Sequence, residues 1–141
     1  MSGRASDWAG LETWQAFKGA DRAGPVHMLN LVRLREGAEY ADGHKATGAE
    51  AYQRYSDISA PVLQKFGGSI VWRGAFELTM IGPSDETWDI DFLAEYPGVG
   101  AFAEMMRDAT YRGAMVHRQA AVLDSRLVRF GAQHVGASFA R

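Results

Sequence analysis

The alternation of side chains in residues 26–34, VHMLNLVRL, leaves apolar residues on both faces of a predicted strand. One alternate set is Val26, Met28, Asn30, Val32 and Leu34, and the other is His27, Leu29, Leu31 and Arg33. A strand with two apolar faces needs cover on both sides. The rest of the sequence predicts only enough helices to cover one face of the sheet. The pattern therefore favours a sheet with its own helices on one face and a second copy of the chain on the other.

Apolar residues at helical spacing predict two amphipathic helices after this strand. The first covers about residues 49–66, and its apolar stripe consists of Ala51, Tyr55, Ile58, Val62 and Phe66. Pro61 lies inside this helix and is expected to kink or interrupt it near Asp57, because proline removes a backbone hydrogen bond. The second helix begins near Val99, and Gly113 is expected to interrupt it before a shorter helical turn.

The chain ends are predicted to lie outside the main domain, as an N-terminal helical extension (residues 1–24) and a tail (residues 131–141). Trp8, Leu11, Trp14 and Phe17 recur at every third residue of the extension, and Ser6 or Asp7 would cap the helix. The tail is expected to be loose or to reach a neighbouring molecule. Residues 35–48 are polar and glycine-rich, which predicts a long loop.

Alternation of period two predicts a hairpin between the two amphipathic helices. Its strands would cover about residues 70–80 and 87–96, with a bulge at Gly74 and a turn centred on Ser84. The pairs expected across the hairpin are Trp72–Tyr96 and Met80–Trp88 on one face, and Arg73–Glu95 and Glu77–Asp91 on the other.

A last strand over residues 122–130 completes the order β-α-β-β-α-β within a domain of residues 25–130. Two interleaved βαβ units of this kind form a four-stranded antiparallel sheet with both helices on one face. The first strand is central in such a sheet, in agreement with its two apolar faces. The predicted fold class is therefore α+β.

Composition narrows the class of protein further. A chain of 141 residues with 47% hydrophobic and 23% charged residues is typical of one globular domain. The formal net charge of -2, without a block of like charges, argues against nucleic acid or a membrane surface as partner. The lack of cysteine excludes disulfides and thiolate metal sites. No apolar run of membrane-spanning length and no signal-peptide core is found, which predicts a cytoplasmic protein.

Several segments are more specific than composition. In chain order they are MLNLVR, GAEAYQRY, FGG followed by VWRG, WD followed by EYP, AFAEMMRDATYR, and HRQAAVLDSRLV. Together they cover roughly residues 26–130 and resemble the domain-of-unknown-function family DUF1330. The resemblance implies a ferredoxin-like protomer of the dimeric α+β barrel superfamily, in which two sheets face each other. It implies no established activity. Distant relatives with this fold include cofactor-independent monooxygenases, muconolactone isomerases and haem-containing peroxidases, an analogy at the level of fold alone.

Three polar residues are candidates for catalysis: Asn30, His117 and Arg118. Asn30 is an amide within an apolar strand, and leaving it buried without a partner would cost about 1–3 kcal/mol. It is either satisfied by nearby backbone or directed as a donor into a ligand cavity. His117 is suited to carry a proton near neutral pH, and Arg118 is suited to hold a carboxylate at two points. A structural role is the alternative, with Arg118 bound to Asp89, Asp91 or Asp124.

Aromatic residues supply the predicted ligand-binding set, which is Tyr55, Trp72, Trp88 and Tyr96. Packing of cross-strand pairs explains these residues as well as an aromatic wall around a planar ligand does. No metal site is predicted. Asp89 and Asp91 offer too few ligands at their spacing, and His27, His44 and His134 make no metal-binding spacing with one another.

Residues 98–103, GVGAFA, match the dinucleotide-binding pattern G-x-G-x-x-A. The preceding strand alternates aspartate with apolar residues, whereas a dinucleotide-binding strand is continuously apolar, so nucleotide binding is disfavoured. No cofactor is predicted. The sequence instead predicts a homodimer that binds a small organic acid or aromatic compound, with proton transfer or cofactor-independent oxygenation as the chemistry of an enzyme. A non-catalytic binding or interaction module and, more remotely, a haem protein are open alternatives.

Overall fold

The computed structural model describes residues 10–140, which form four helices and four strands. In chain order the elements are α1 (Leu11–Gly19), β1 (Val26–Leu34), α2 (Gly48–Lys65), β2 (Ser69–Gly74), β3 (Ile90–Tyr96), α3 (Val99–Arg107), α4 (Ala109–Ala121) and β4 (Val122–Phe130). The strand over residues 26–34 is found where it was predicted. A leading helix is also found, but it begins at Leu11 with Gly10 as its N-cap. The expected caps Ser6 and Asp7, together with Trp8, lie outside the described residues.

The four strands form one antiparallel sheet in the order β2-β3-β1-β4. Strand β1 is central, and its Asn30 lies between Phe92 of β3 and Leu127 of β4. This interleaved order is the ferredoxin-like arrangement of two βαβ units. The predicted α+β class and the βαββαβ order of the domain are confirmed.

The helices cover one face of the sheet, and the main core lies between them and that face. Val26, Met28 and Val32 of β1 are at most 4% exposed. Val62 of α2 and Phe102 of α3 belong to the same buried cluster as Val26 and Met28. Since burial of one such side chain contributes about 1.5–3 kcal/mol, this layer is the main source of the stability of the fold.

The opposite face of the sheet, called the outer face below, is more open. It carries His27, Leu29, Leu31 and Arg33 of β1, and the residues beside them on neighbouring strands include Leu93, Val128, Phe130 and Trp72. Trp72 is 57% exposed. The segment of residues 75–89 lies at one end of this face, where the Asp89 N–H donates to the Val32 carbonyl at 2.7 Å.

Helix α2 begins with a capping box and continues past its proline. The Thr47 side chain accepts a hydrogen bond from the Glu50 N–H at 3.0 Å, and the Glu50 carboxylate accepts one from the Thr47 N–H at 2.8 Å. The predicted interruption at Pro61 was wrong, because α2 is continuous from Gly48 to Lys65. Asp57 and Pro61 are both exposed, so water can reach the carbonyl that loses its partner.

The break after α3 falls at Asp108 and not at Gly113, where the sequence had predicted it. The Asp108 carboxylate accepts a hydrogen bond from the Tyr111 N–H at 3.0 Å and so caps α4. Gly113 lies within α4 and is exposed. A capping side chain thus decided the boundary, and one glycine did not end the helix.

The predicted hairpin is shorter than expected and has another register. Strand β2 ends at Gly74 and β3 begins at Ile90, with residues 75–89 between them. Trp72 pairs with Leu93 and Gly74 with Asp91, and the register shifts between Ile70 and Trp72. The pairs predicted across the hairpin, and the bulge predicted at Gly74, were therefore wrong. The apolar alternation beyond Gly74 belongs to an exposed segment, in which Leu78, Met80 and Ile81 are open to solvent.

Candidate functional site

A cavity of about 340 Å³ lies between the helix-covered face of the sheet and helices α2, α3 and α4. This volume is near the lower end of the range found for small-molecule sites. Gln53 of α2 and Arg73 of β2 line the cavity and are exposed, which places its mouth between these two elements. The lining residues used below are Met28, Asn30 and Phe92 from the sheet, and Tyr52, Tyr55, Ser59, Met105, Tyr111 and Arg118 from the helices.

Four of the seven predicted site residues line this cavity: Asn30, Tyr55, Tyr96 and Arg118. The structure therefore brings together the amide and the guanidinium of the predicted catalytic set. The Asn30 Nδ2 donates to the Met28 carbonyl at 3.0 Å. Asn30 is only partly buried, so it combines a local backbone bond with a position on the wall of an open cavity.

The other three predicted residues lie elsewhere. The His117 Nδ1 is 2.7 Å from the Tyr40 hydroxyl, and this pair connects α4 to the loop over residues 35–47. Trp72 pairs with Leu93 on the outer face. The Trp88 ring packs under the Arg126 guanidinium, at 5.2 Å from the ring centroid, also outside the cavity. Histidine and arginine at consecutive positions of one helix point in different directions, which explains the separation of His117 from Arg118.

Arg118 supplies a positive charge at a buried point of the cavity wall. It is 7% exposed, and its Nη2 lies 3.5 Å from the Ser125 hydroxyl of β4. Charge–charge interaction with Arg118 lowers the pKa of both Tyr52 and Tyr111, against the larger effects that raise them. The guanidinium is thus close enough to these phenols to act on them electrostatically.

The buried Tyr52, Tyr96 and Tyr111 and the partly buried Tyr55 line the same cavity as Arg118. The Tyr55 and Tyr111 hydroxyls are 2.9 Å apart, and the Tyr52 and Tyr55 ring centroids are 5.2 Å apart. Burial raises the pKa of Tyr52, of Tyr96 and of Tyr111 far above the ordinary value, because it penalises the phenolate, and the neighbouring Tyr55 raises these pKa values further. These three hydroxyls are therefore neutral at physiological pH and can donate hydrogen bonds.

Tyr111 and Ser59 are site residues that the sequence reasoning missed. Tyr111 precedes Arg118 by seven residues, or two helical turns, so a helical projection from Arg118 would have found it. The Ser59 hydroxyl is buried, lines the cavity and has no hydrogen-bond partner among the described residues. An isolated serine within a helix gives no sequence signal for such a role.

The charge of the cavity lining has one sign. Arg118 and Arg73 contribute guanidinium groups, and the described lining contains no aspartate, glutamate, histidine or lysine. The arrangement can hold an anion and donate hydrogen bonds to it. It lacks the side chains that most often act as general acids and bases.

Among residues 10–140, no group of three or more histidine, aspartate or glutamate side chains is placed so that it could hold a metal ion. None of the helices in that range combines the length and apolar character needed to cross a lipid bilayer.

The family model for the domain of unknown function DUF1330 matches residues 41–130. This chain belongs to the DUF1330 family. A protein of unknown function from Rhodopseudomonas palustris is 54% identical, with a TM-score of 0.88 over 91% of this chain and 97% of that one. The crystal structure of its methylated form is 55% identical, with a TM-score of 0.90 over 92% and 96% of the two chains.

A Caulobacter crescentus protein described as a candidate antibiotic biosynthesis monooxygenase shares the fold at 12% identity. Its TM-score is 0.52, over 84% of this chain and 99% of that one. At this identity the likeness extends to the fold alone. No curated protein matches the chain.

Proposed function

We propose that the DUF1330 cavity binds a small organic anion with an apolar or aromatic body. The observation that supports this is the combination of a buried guanidinium, an amide and neutral phenols around one cavity whose described lining lacks acidic side chains. A carboxylate would accept two hydrogen bonds from Arg118, since the planar guanidinium matches its geometry. The Met28, Phe92 and Met105 side chains would contact the apolar body.

The position of His117 favours a binding function over acid–base catalysis by protein side chains. His117, the predicted proton carrier, is hydrogen-bonded to Tyr40 away from the cavity. Cofactor-independent oxygenation of the bound anion stays the enzymatic alternative, and fold similarity to the Caulobacter protein supports it only by analogy. None of the described residues that line this cavity is a histidine, so the proposal does not include haem.

The experiment compares matched anionic and neutral compounds by thermal shift and calorimetry, using benzoate and phenylacetate against benzamide and phenylacetamide. We expect the carboxylates, and not the amides, to raise the melting temperature, because preferential binding stabilises the folded state. Arg118→Gln should weaken carboxylate binding by about 30-fold or more, since it removes a buried charged partner.

The matched control is Arg112→Gln, which changes an exposed arginine of the same helix that does not line the cavity. This variant should bind like the unchanged protein. Asn30→Leu, which should fold and lose binding, tests the site if Arg118→Gln proves unstable. Equal binding of amides and carboxylates, or equal effects of the two arginine variants, would contradict the proposal.

We also propose that the outer face of the sheet packs against a second copy of the chain. Leu29 and Leu31 lie at its centre and are only partly buried, and the neighbouring Val128 and Phe130 are 42% and 49% exposed. Contiguous apolar residues at the centre of a sheet are typical of an interaction surface. Sedimentation at micromolar concentration measures this association directly.

A further inference from the structure

A second cavity of about 650 Å³ lies beneath helix α1. Trp14 and Phe17 of α1 line it, together with Met28, Phe102 and Leu127. The last three residues also line the first cavity, so the two spaces are separated by a single layer of side chains. We infer that the ligand bound in the first cavity extends past Phe102 into the second one, and that it is an elongated amphipathic monoanion.

Helix α1 forms a cover over this second cavity. None of its residues is buried. Its aromatic residues contact one side chain of the separating layer: the Trp14 ring stacks on Phe102 at 6.0 Å between centroids, and the Phe17 ring lies at 5.2 Å. A displacement of α1 would remove these two contacts and leave Phe102 in contact with the Tyr96 ring at 5.0 Å between centroids. A rotation of the Phe102 side chain would then join the two cavities.

The two arginines that line the second cavity are already engaged. The Arg129 guanidinium donates to the Phe17 and Ala20 carbonyls at 2.9 and 2.6 Å, at the carboxyl end of α1. The Arg22 Nη1 donates to the Pro25 carbonyl at 3.0 Å. These bonds hold both cations against backbone carbonyls. Apart from Thr13 and the acidic Asp21, the remaining described wall is aromatic and apolar. The second cavity thus suits the apolar end of a molecule and not a second anionic group.

The inference rests on the proposed function, because Arg118 is assigned the anionic end of the ligand. The chemical class that fits is a straight-chain or ω-phenyl alkanoate. Each methylene that leaves water should increase affinity about threefold or fourfold. This gain should continue beyond the chain length that fills the first cavity.

The test is calorimetric titration of the full chain with the even-numbered alkanoates from butanoate to dodecanoate. Ala16→Phe fills the second cavity from α1, and Gln15→Phe adds the same side chain to α1 at a position that does not line it. We expect Ala16→Phe to retain affinity for butanoate and hexanoate but to lose at least about tenfold for decanoate. Gln15→Phe should follow the unchanged protein. Thr13→Phe, at another lining position, repeats the test if Ala16→Phe does not fold.

The outcomes separate the inference from the function on which it rests. If short carboxylates bind but affinity stops rising with length, or Ala16→Phe leaves the long-chain affinity unchanged, the inference is overturned and the proposed function stands. If octanedioate binds more tightly than octanoate, the monoanion assignment is overturned. If neither alkanoates nor aromatic carboxylates bind, both proposals fail.

Discussion

Both faces of the DUF1330 sheet carry apolar residues along β1, but their surroundings are very different. Met28 and Val32 point towards the helices and are almost completely buried, whereas Leu29 and Leu31 on the outer face are only partly buried. Leucine is at least as apolar as valine, so hydrophobicity does not explain the difference. The chain connections between the strands explain the difference in burial, because both βαβ units place their helices on one side of the sheet.

Polar residues also divide between the faces. The helix side holds the cavity, with guanidinium groups and neutral phenols. The outer face holds Asp91, 8% exposed, whose two carboxylate oxygens have no hydrogen-bond partner among the described residues. Burial raises the pKa of Asp91, and the charge of Asp89 raises it further. The Phe76 N–H is near enough to lower this pKa slightly but is outside hydrogen-bond geometry.

The largest expected effect comes from placing one aspartate on each face. Val32→Asp puts a carboxylate at a side chain with 0% exposure, and the desolvation of an unpaired charge should cost at least about 3 kcal/mol. Val128→Asp puts the same group on the outer face and should cost less than about 1 kcal/mol within one chain. Urea unfolding followed by circular dichroism measures both changes.

Sedimentation of Val128→Asp extends this comparison. If the outer face binds a second copy, this variant should remain folded and lose self-association at micromolar concentration, because the new charge would be buried at the interface. Equal destabilisation by the two variants would show that both faces belong to the core of a single chain.

Most of the fold could be predicted from the sequence, because β1, α2 and β4 have strong periodicity and clear boundaries. The hairpin could not. Alternation of apolar residues from Ile70 to Met80 fits a half-buried strand as well as an extended exposed segment, and composition does not distinguish the two. An error of a few residues in the turn then changed every predicted cross-strand pair.

Only part of the candidate site could be predicted, because grouping its residues also depends on strand register and helix geometry. Asn30 and Tyr96 are placed by strand alternation and Tyr55 by the stripe of α2, and all three line the cavity. Trp72 was placed with them through the wrong hairpin register. His117 was chosen for its chemistry beside Arg118, although neighbouring helical residues point in different directions. Chemical suitability identified candidates, but only the geometry of each element could group them.

A smaller effect is expected from the two neighbouring aspartates of the outer-face region. Asp91→Asn replaces a buried, unpaired carboxylate and should stabilise the protein by about 1–2 kcal/mol at pH 7. Asp89→Asn should do the opposite, since the Asp89 carboxylate accepts a hydrogen bond from the Leu34 N–H at 2.8 Å. Urea midpoints of the two variants test the opposite signs.

The pH dependence of the Asp91→Asn gain follows from the raised pKa. The folded protein holds the Asp91 proton more tightly than the unfolded chain, whose value is 3.8. The stabilisation that the protonated Asp91 side chain contributes is therefore fully present below about pH 4. It is lost as the pH rises through the pKa of Asp91 in the folded protein. The advantage of Asp91→Asn should accordingly be greatest at neutral pH and disappear towards pH 4. An advantage that does not change with pH would show that Asp91 has an ordinary pKa.

The smallest effect distinguishes two polar contacts of equal length on opposite faces. The Tyr55 and Tyr111 hydroxyls on the helix side are 2.9 Å apart, as are the His27 Nε2 and the Glu95 carboxylate on the outer face. Tyr55→Phe should cost about 1 kcal/mol, because it removes the partner of a buried hydroxyl. Glu95→Ala should cost only a few tenths of a kcal/mol, because the carboxylate is partly exposed and water replaces its contact.

The larger cost of Tyr55→Phe relative to Glu95→Ala is expected for the isolated chain, and the difference between the two costs should shrink when the chain self-associates. In a Val128→Asp background, which keeps the outer face open to water, the cost of Glu95→Ala should stay small. In the self-associated protein the same change should cost more, because a second copy would remove water from the His27–Glu95 contact. The cost of Tyr55→Phe should be the same in both backgrounds, since a second copy on the outer face would not contact the helix side. The cost of Glu95→Ala is obtained from urea unfolding in each background, and the difference between the two costs measures how far association buries the outer face. Equal costs would show that the His27–Glu95 contact lies outside the interface.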